Sequence, residues 1–147
     1  MRAEGIRAIG SSDLARARET AEIISRELGL SVSLVDAAFR ERAYGIFEGL
    51  TSSECKARFA VAWSRFEEGA SQDLPGVEPL DVLASRMLTG LQLAAEHMEA
   101  PALIVSHGRS IRVLVSKVTG RDVAPIPNGG VYRIRMHHGN LVEAGAL

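Results

Sequence analysis

The stretch Pro101-Ala102-Leu103-Ile104-Val105-Ser106-His107-Gly108 decides the fold. Ala102 to Val105 is a continuous apolar run, the pattern of a strand covered on both faces of a parallel sheet. Gly108 permits a tight turn, and the chain re-enters a helix from Arg109 to about Val118. On the N-terminal side, Leu80, Leu83, Met87, Leu91 and Ala94 recur at helical spacing and predict a long helix over 80–98. Further back, Leu14, Ala17, Ala21, Ile24 and Leu28 line one helical face, and Gly29 closes that run. A short glycine-bounded strand over 5–10 precedes this helix and a second, alternating strand over 31–35 follows it. Beyond the His107 helix, 131–136 alternates, Gly139-Asn140 reads as a turn, and Leu141 onward pairs back as a hairpin.

Alternating strands and helices of this length predict an α/β domain, a three-layer sandwich around a mostly parallel sheet, with residues 1–147 as a single domain. Phe39 to Leu50 lacks a period and contains Gly45 and Gly49, so it reads as a loop carrying chemistry rather than core. Thr51-x-x-Glu54 has the spacing of a capping box and opens a helix running to about Glu68, followed by a loop over 69–79.

The 147 residues carry 17 Lys+Arg against 18 Asp+Glu, a balance that disfavours a nucleic-acid or anionic-membrane binder. Only Lys56 and Lys117 are lysines, and the rest of the 17 basic residues are arginine. The longest apolar run falls far short of the roughly 18–20 residues of a spanning helix, and the N-terminus has no signal pattern. One cysteine, Cys55, cannot form an internal disulfide, which fits a reducing, cytoplasmic location.

In open α/β sheets ligands sit at the carboxyl ends of the strands. Two of those ends carry pointed residues: Ser11-Ser12-Asp13 leading to Arg16, and Ser106-His107-Gly108-Arg109. His107 is either beside an anion held by helix amides, or a histidine that caps its helix or bonds into the core. Arg109 and Arg112 oppose the dipole of the helix they open, which is easier to understand if an anion binds there; solvated surface positions are the other reading. Asp13 is a natural N-cap, with Arg16 in the first turn either a site residue or a surface charge. Glu41 either passes a proton to a leaving alkoxide or pairs with Arg40 or Arg42 on the surface. His137 and His138 would point to opposite faces of a strand and so form no joint metal site. His97 reads as a surface residue complementing the C-terminal end of its helix.

The ordered set Ser11-Ser12-Asp13-Leu14-x-Arg16-Ala17-x-x-Thr20-Ala21, Arg40-Glu41-Arg42-x-Tyr44-Gly45-x-Phe47-Glu48-Gly49-Leu50-Thr51, Gly76-x-Glu78 and Ile104-Val105-Ser106-His107-Gly108 resembles the histidine phosphatase superfamily, the phosphoglycerate-mutase-like proteins. Members transfer a phosphoryl group through a phosphohistidine. The resemblance implies a phosphate clamp at Arg16, an acid and base at Glu41, a phosphoryl-oxygen donor and charge stabiliser at His107, and a substrate-lining position at Tyr44. It implies no metal and no organic cofactor. The partner would be a phosphorylated small molecule or inorganic phosphate.

No Arg-His-Gly triplet, the family's nucleophile signature, occurs in the chain. The expectation is a domain truncated at its N-terminus, missing its first strand and helix and catalytically incomplete. The ancestral activity would be phosphomonoester hydrolysis. The alternatives are a non-catalytic phosphate-ligand module, phosphoglycerate mutase activity, and His107 itself as a weak nucleophile. Loss of that strand would strip hydrogen-bond partners from Leu103 to Val105. Three outcomes are then expected: the strand over 131–136 closes onto them, a second copy covers the edge as a homodimer, or the region is distorted.

Overall fold

A computed structural model describes residues 5–138 and 140–147. The chain runs β1 (Ala8–Ser12), α1 (Ala15–Leu28), β2 (Val32–Asp36), α2 (Ser52–Arg58), α3 (Ala60–Glu67), α4 (Leu80–His97), β3 (Ala102–Val105), α5 (Gly108–Thr119), β4 (Tyr132–His137) and β5 (Asn140–Ala146). Single 3-10 turns at Ala37–Phe39 and Gly45–Phe47 interrupt the connection from β2 to α2. The α/β class is as the sequence predicts: a three-stranded sheet of order β2-β1-β3, with both pairings parallel. Leu34 and Ile104 project from it into a core with Phe39, Leu83, Met87, Ala94 and Leu114, while α1 packs against the same strands. Strand residues alternate between faces, which sets α1 in one layer and α4 with α5 in the other.

The run that announced the sheet is not its most covered strand. All five residues of β1 are buried, whereas β3 lies at the edge, with Ala102 exposed and Leu103 to Val105 half-buried. β1 pairs with one edge of β3, Ile9 with Leu103, Gly10 with Ile104 and Ser11 with Val105. Gly10 leaves room on that face for the Ile104 side chain, whose Cδ1 would lie 2.6 Å from a Cβ there. The strand over 131–136 does not close onto β3. It forms β4, which pairs antiparallel with β5 in a separate sheet and leaves the far edge of β3 unpaired among the described residues.

Three local expectations are corrected. The helix over 51–68 breaks at Phe59 (φ −135°, ψ 42°), and the Thr51–Glu54 capping box serves only its first half. The bend brings Phe59, Trp63 and Phe66 around Phe47, with Phe47–Trp63 centroids at 5.2 Å and edge-to-face geometry. Phe39 to Leu50 is not simply a surface loop, because Phe39 and Phe47 are 0 % and 3 % exposed and anchor it in two separate cores. His137 and His138 do not diverge: His138 leaves the strand with φ 47°, and the two rings lie 4.2 Å apart. Gly139, half of the predicted turn, lies outside the described residues.

Candidate active site

Parallel pairing of Ser11 with Val105 places the carboxyl ends of β1 and β3 side by side, so their following residues share one end of the sheet. His107 is the N-cap residue of α5 but makes no side-chain cap bond; its backbone is extended and its ring leaves the helix. The imidazole is buried, with Nε2 3.0 Å from Ser12 Oγ. Ser12 Oγ in turn accepts the Leu14 amide at 3.2 Å, which ties the end of β1 to the start of α1. Of the two structural alternatives for His107, capping is excluded and bonding into the core is present.

Burial holds the His107 imidazole below its ordinary value of 6.5; the Arg16 guanidinium adds to that effect and the Glu41 carboxylate opposes it. Arg16 and Glu41 therefore both lie within electrostatic reach of the ring. Arg16 sits exposed in the first turn of α1. Asp13 is not the cap of that helix, whose N-cap is Leu14. It receives Arg40 Nε and Nη2 at 2.7 and 2.6 Å, and this bond to Arg40 holds its carboxyl below the usual carboxylate range.

Glu41 makes neither of the surface pairs considered for it. Arg40 is engaged by Asp13, and Arg42 lies 5.0 Å from the Phe66 ring centroid while donating through Nε to Glu78 O. Glu41 Oε1 instead accepts the Arg42 amide at 2.8 Å and Ser110 Oγ at 3.0 Å, so α5 aims the carboxylate. Tyr44 is half-buried against Phe66, and burial raises its phenol. Its loop is pinned where Gly45 (φ 53°) crosses the backbone before Val77: a Cβ there would stand 2.2 Å from Pro75 O.

Sequence reasoning gave no role to Arg86, which organises this end of the molecule. From α4 it donates to both Glu78 carboxylate oxygens (2.6 and 2.9 Å) and to the carbonyls of Ala38, Arg40 and Glu41. Its signal was a lone cation in an otherwise apolar helical stripe. Ser106 and Ser110 add bonds from the His107 segment to Phe39 O and Arg40 O, fastening Glu41's loop to the strand and helix that carry His107. His97 is as expected, its Nδ1 against Leu93 O of its own helix. Among the described residues no three His, Cys, Asp or Glu side chains gather as a metal site, and no helix is long and apolar enough to cross a membrane.

A buried imidazole that pairs with a serine and lies within electrostatic reach of a guanidinium should resist protonation. The neutral form is favoured in the fold, so its contribution to stability is complete above pH 6.5 and is lost as pH falls through the lowered folded value. The expected result is a melting temperature that drops on acidification below that pH, with a shallower drop in His107→Gln; equal slopes in the two proteins would contradict it.

The chain is similar to known proteins. The model of the histidine phosphatase superfamily (branch 1) matches residues 1–144. Phosphoglycerate mutase-like protein 4 of Arabidopsis thaliana is 36% identical over 135 residues, covering 88% of this chain and 59% of that protein. The uncharacterized phosphatase PhoE of Bacillus subtilis is 33% identical over 115 residues, covering 78% and 54%. The chain thus spans little more than half the length of these relatives. Bacillus stearothermophilus YhfR superposes with a TM-score of 0.80 at 23% identity, over 96% of this chain and 73% of that one, a likeness of fold. With the family model matched along nearly the whole chain, the chain belongs to the histidine phosphatase superfamily.

Proposed function

We propose that these residues form the phosphate-binding and proton-transfer half of a phosphomonoesterase. The observation that supports it is the convergence of Arg16 and Glu41 on the buried His107 at two adjacent strand ends. Arg16, exposed and with no ion-pair partner among the described residues, offers its planar fork to two phosphoryl oxygens. His107 donates to the same group and stabilises charge as it develops there. Glu41, aimed by Ser110, protonates the leaving oxygen and then activates water. Tyr44 lines the alcohol side, and the substrate is a phosphorylated small molecule of the cytoplasm.

The attacking histidine is the one component these residues do not contain, so the 147-residue chain alone is expected to bind phosphate without hydrolysing esters. Joined to a strand bearing an Arg-His-Gly triplet, it should hydrolyse an aryl phosphate and lose that activity on His107→Ala. No turnover by the joined protein, or turnover indifferent to His107→Ala, would contradict the reading. Hydrolysis is favoured over mutase chemistry because the segment between Glu41 and Gly76 folds into two short helices around Phe47, with little chain left for a further substrate loop.

The reading also favours a homodimer. Among the described residues the outer edge of β3 has no partner strand, and a second copy can supply one. Light scattering should then give twice the 15.8 kDa chain mass, and a concentration-independent monomer would exclude it.

A further inference from the structure

The two nitrogens of the His107 ring have opposite surroundings, and the hydroxyl beside one of them determines where the ring's proton sits. Ser12 is 0% exposed, so its single O–H either finds an acceptor inside the protein or stays unsatisfied. One lone pair of Ser12 Oγ takes the Leu14 amide at 3.2 Å, and this bond also fixes the direction of the side chain. The neighbouring Ser11 hydroxyl bonds to the Ser12 carbonyl at 2.7 Å and does not engage Oγ. Among the described residues the acceptor left within reach of the Ser12 proton is Nε2 of His107, 3.0 Å away. A proton on Nε2 of the neutral ring would orphan that O–H at a fully buried position. Nε2 therefore accepts, and the ring carries its proton on Nδ1.

Nδ1 has no hydrogen-bond partner among the described residues. It is not sealed in either, because the buried side-chain polar atom found there without a partner is Trp63 Nε1. Nδ1 thus opens outward at the carboxyl end of β3, where a ligand oxygen can meet it.

Resting on the phosphomonoesterase reading, we propose that Ser12 is a positioning residue: it holds neutral His107 in the Nδ1–H tautomer, and Nδ1–H is the group that donates to the phosphoryl oxygen. The donor is then available without a charge on the ring. The same bonds disarm His107 as a nucleophile, since the Nε2 lone pair is held by the hydroxyl and Nδ1 carries the proton. Ser12 performs this from the end of β1, where its backbone is already fixed by pairing with Asp36 of β2.

Nitrogen-15 NMR of the 147-residue chain, well above pH 6.5 and without phosphate, reads the two ring nitrogens directly. The parent should show His107 as one tautomer, with Nδ1 protonated and Nε2 accepting a hydrogen bond. Ser12→Ala should spread the proton over both nitrogens, and Ser12→Thr, which keeps the hydroxyl, should restore Nδ1–H. A ring competent half of the time halves the apparent affinity, so inorganic phosphate should bind about twofold more weakly or worse in Ser12→Ala and recover in Ser12→Thr. Nε2–H in the parent, or an unchanged tautomer in Ser12→Ala, would overturn the assignment while phosphate binding still stands. The parent spectrum alone decides the first of these, whether or not the variants fold. Inorganic phosphate that fails to bind the parent brings down the phosphomonoesterase reading, and this role with it.

Discussion

Replacing Arg86 with methionine is expected to destabilise the fold by about 3 kcal/mol or more, read as a lowered urea midpoint. Methionine keeps the apolar stem and removes the guanidinium. Glu78, whose side chain is only 13% exposed, then loses both of its short bonds to Arg86, and the Ala38, Arg40 and Glu41 carbonyls lose their shared donor. A half-buried carboxylate left without its cation costs far more than an exposed pair, for which 0–1 kcal/mol is usual. Arg86→Lys should recover only part of the loss, since one ammonium cannot serve two carboxylate oxygens and three carbonyls at once. If both variants melt with the parent, Arg86 is not the clamp that holds Glu41's loop.

The second large effect is on binding. Arg16→Ala should weaken inorganic phosphate about a hundredfold, the worth of two charge-assisted bonds. Stability should barely move, because Arg16 is exposed; only alanine's helix propensity intervenes. The same substitution removes the larger of the two guanidinium charges that lower His107, so the imidazole of the variant should titrate at higher pH than in the parent. Phosphate affinity unchanged in Arg16→Ala would assign the anion to some other group and break the proposed convergence.

How much of this was readable beforehand follows from what a local pattern can report. The helices at 14–28 and 80–98 and the strand at 102–105 lie within a residue or two of expectation, because each buries one face or one run along its own length. Which strand lies next to which is a non-local choice. Nothing in Ala102–Val105 says that the partner is β1, which sits more than ninety residues away. The break at Phe59 was hidden for a similar reason. The helical period continues through it, and only the aromatic cluster around Phe47 turns the chain. Aperiodic spacing from Phe39 to Leu50 concealed two buried anchors, since isolated aromatics in an irregular segment carry no period to detect.

The site was legible in its types and not in its bonds. Strand-end position singled out His107 and Arg16, and the glycine-containing loop singled out Glu41. That Ser12 would hold Nε2 of His107 and Ser110 would aim Glu41 depends on how close β1 comes to β3 and how α5 lies over the loop. Arg86 escaped because a single charge in a helix is ordinarily solvated, and its five acceptors come from residues 38–41 and 78, brought together only by the fold.

The most direct test of the account is nitrogen-15 NMR of the His107 ring and the Arg16 side chain while inorganic phosphate is added to the 147-residue chain near neutral pH. A cradle shared by the two residues predicts that both sets of resonances shift along one saturable curve, with the His107 ring moving toward its protonated form. Phosphate that leaves either side chain unmoved at saturation would contradict it.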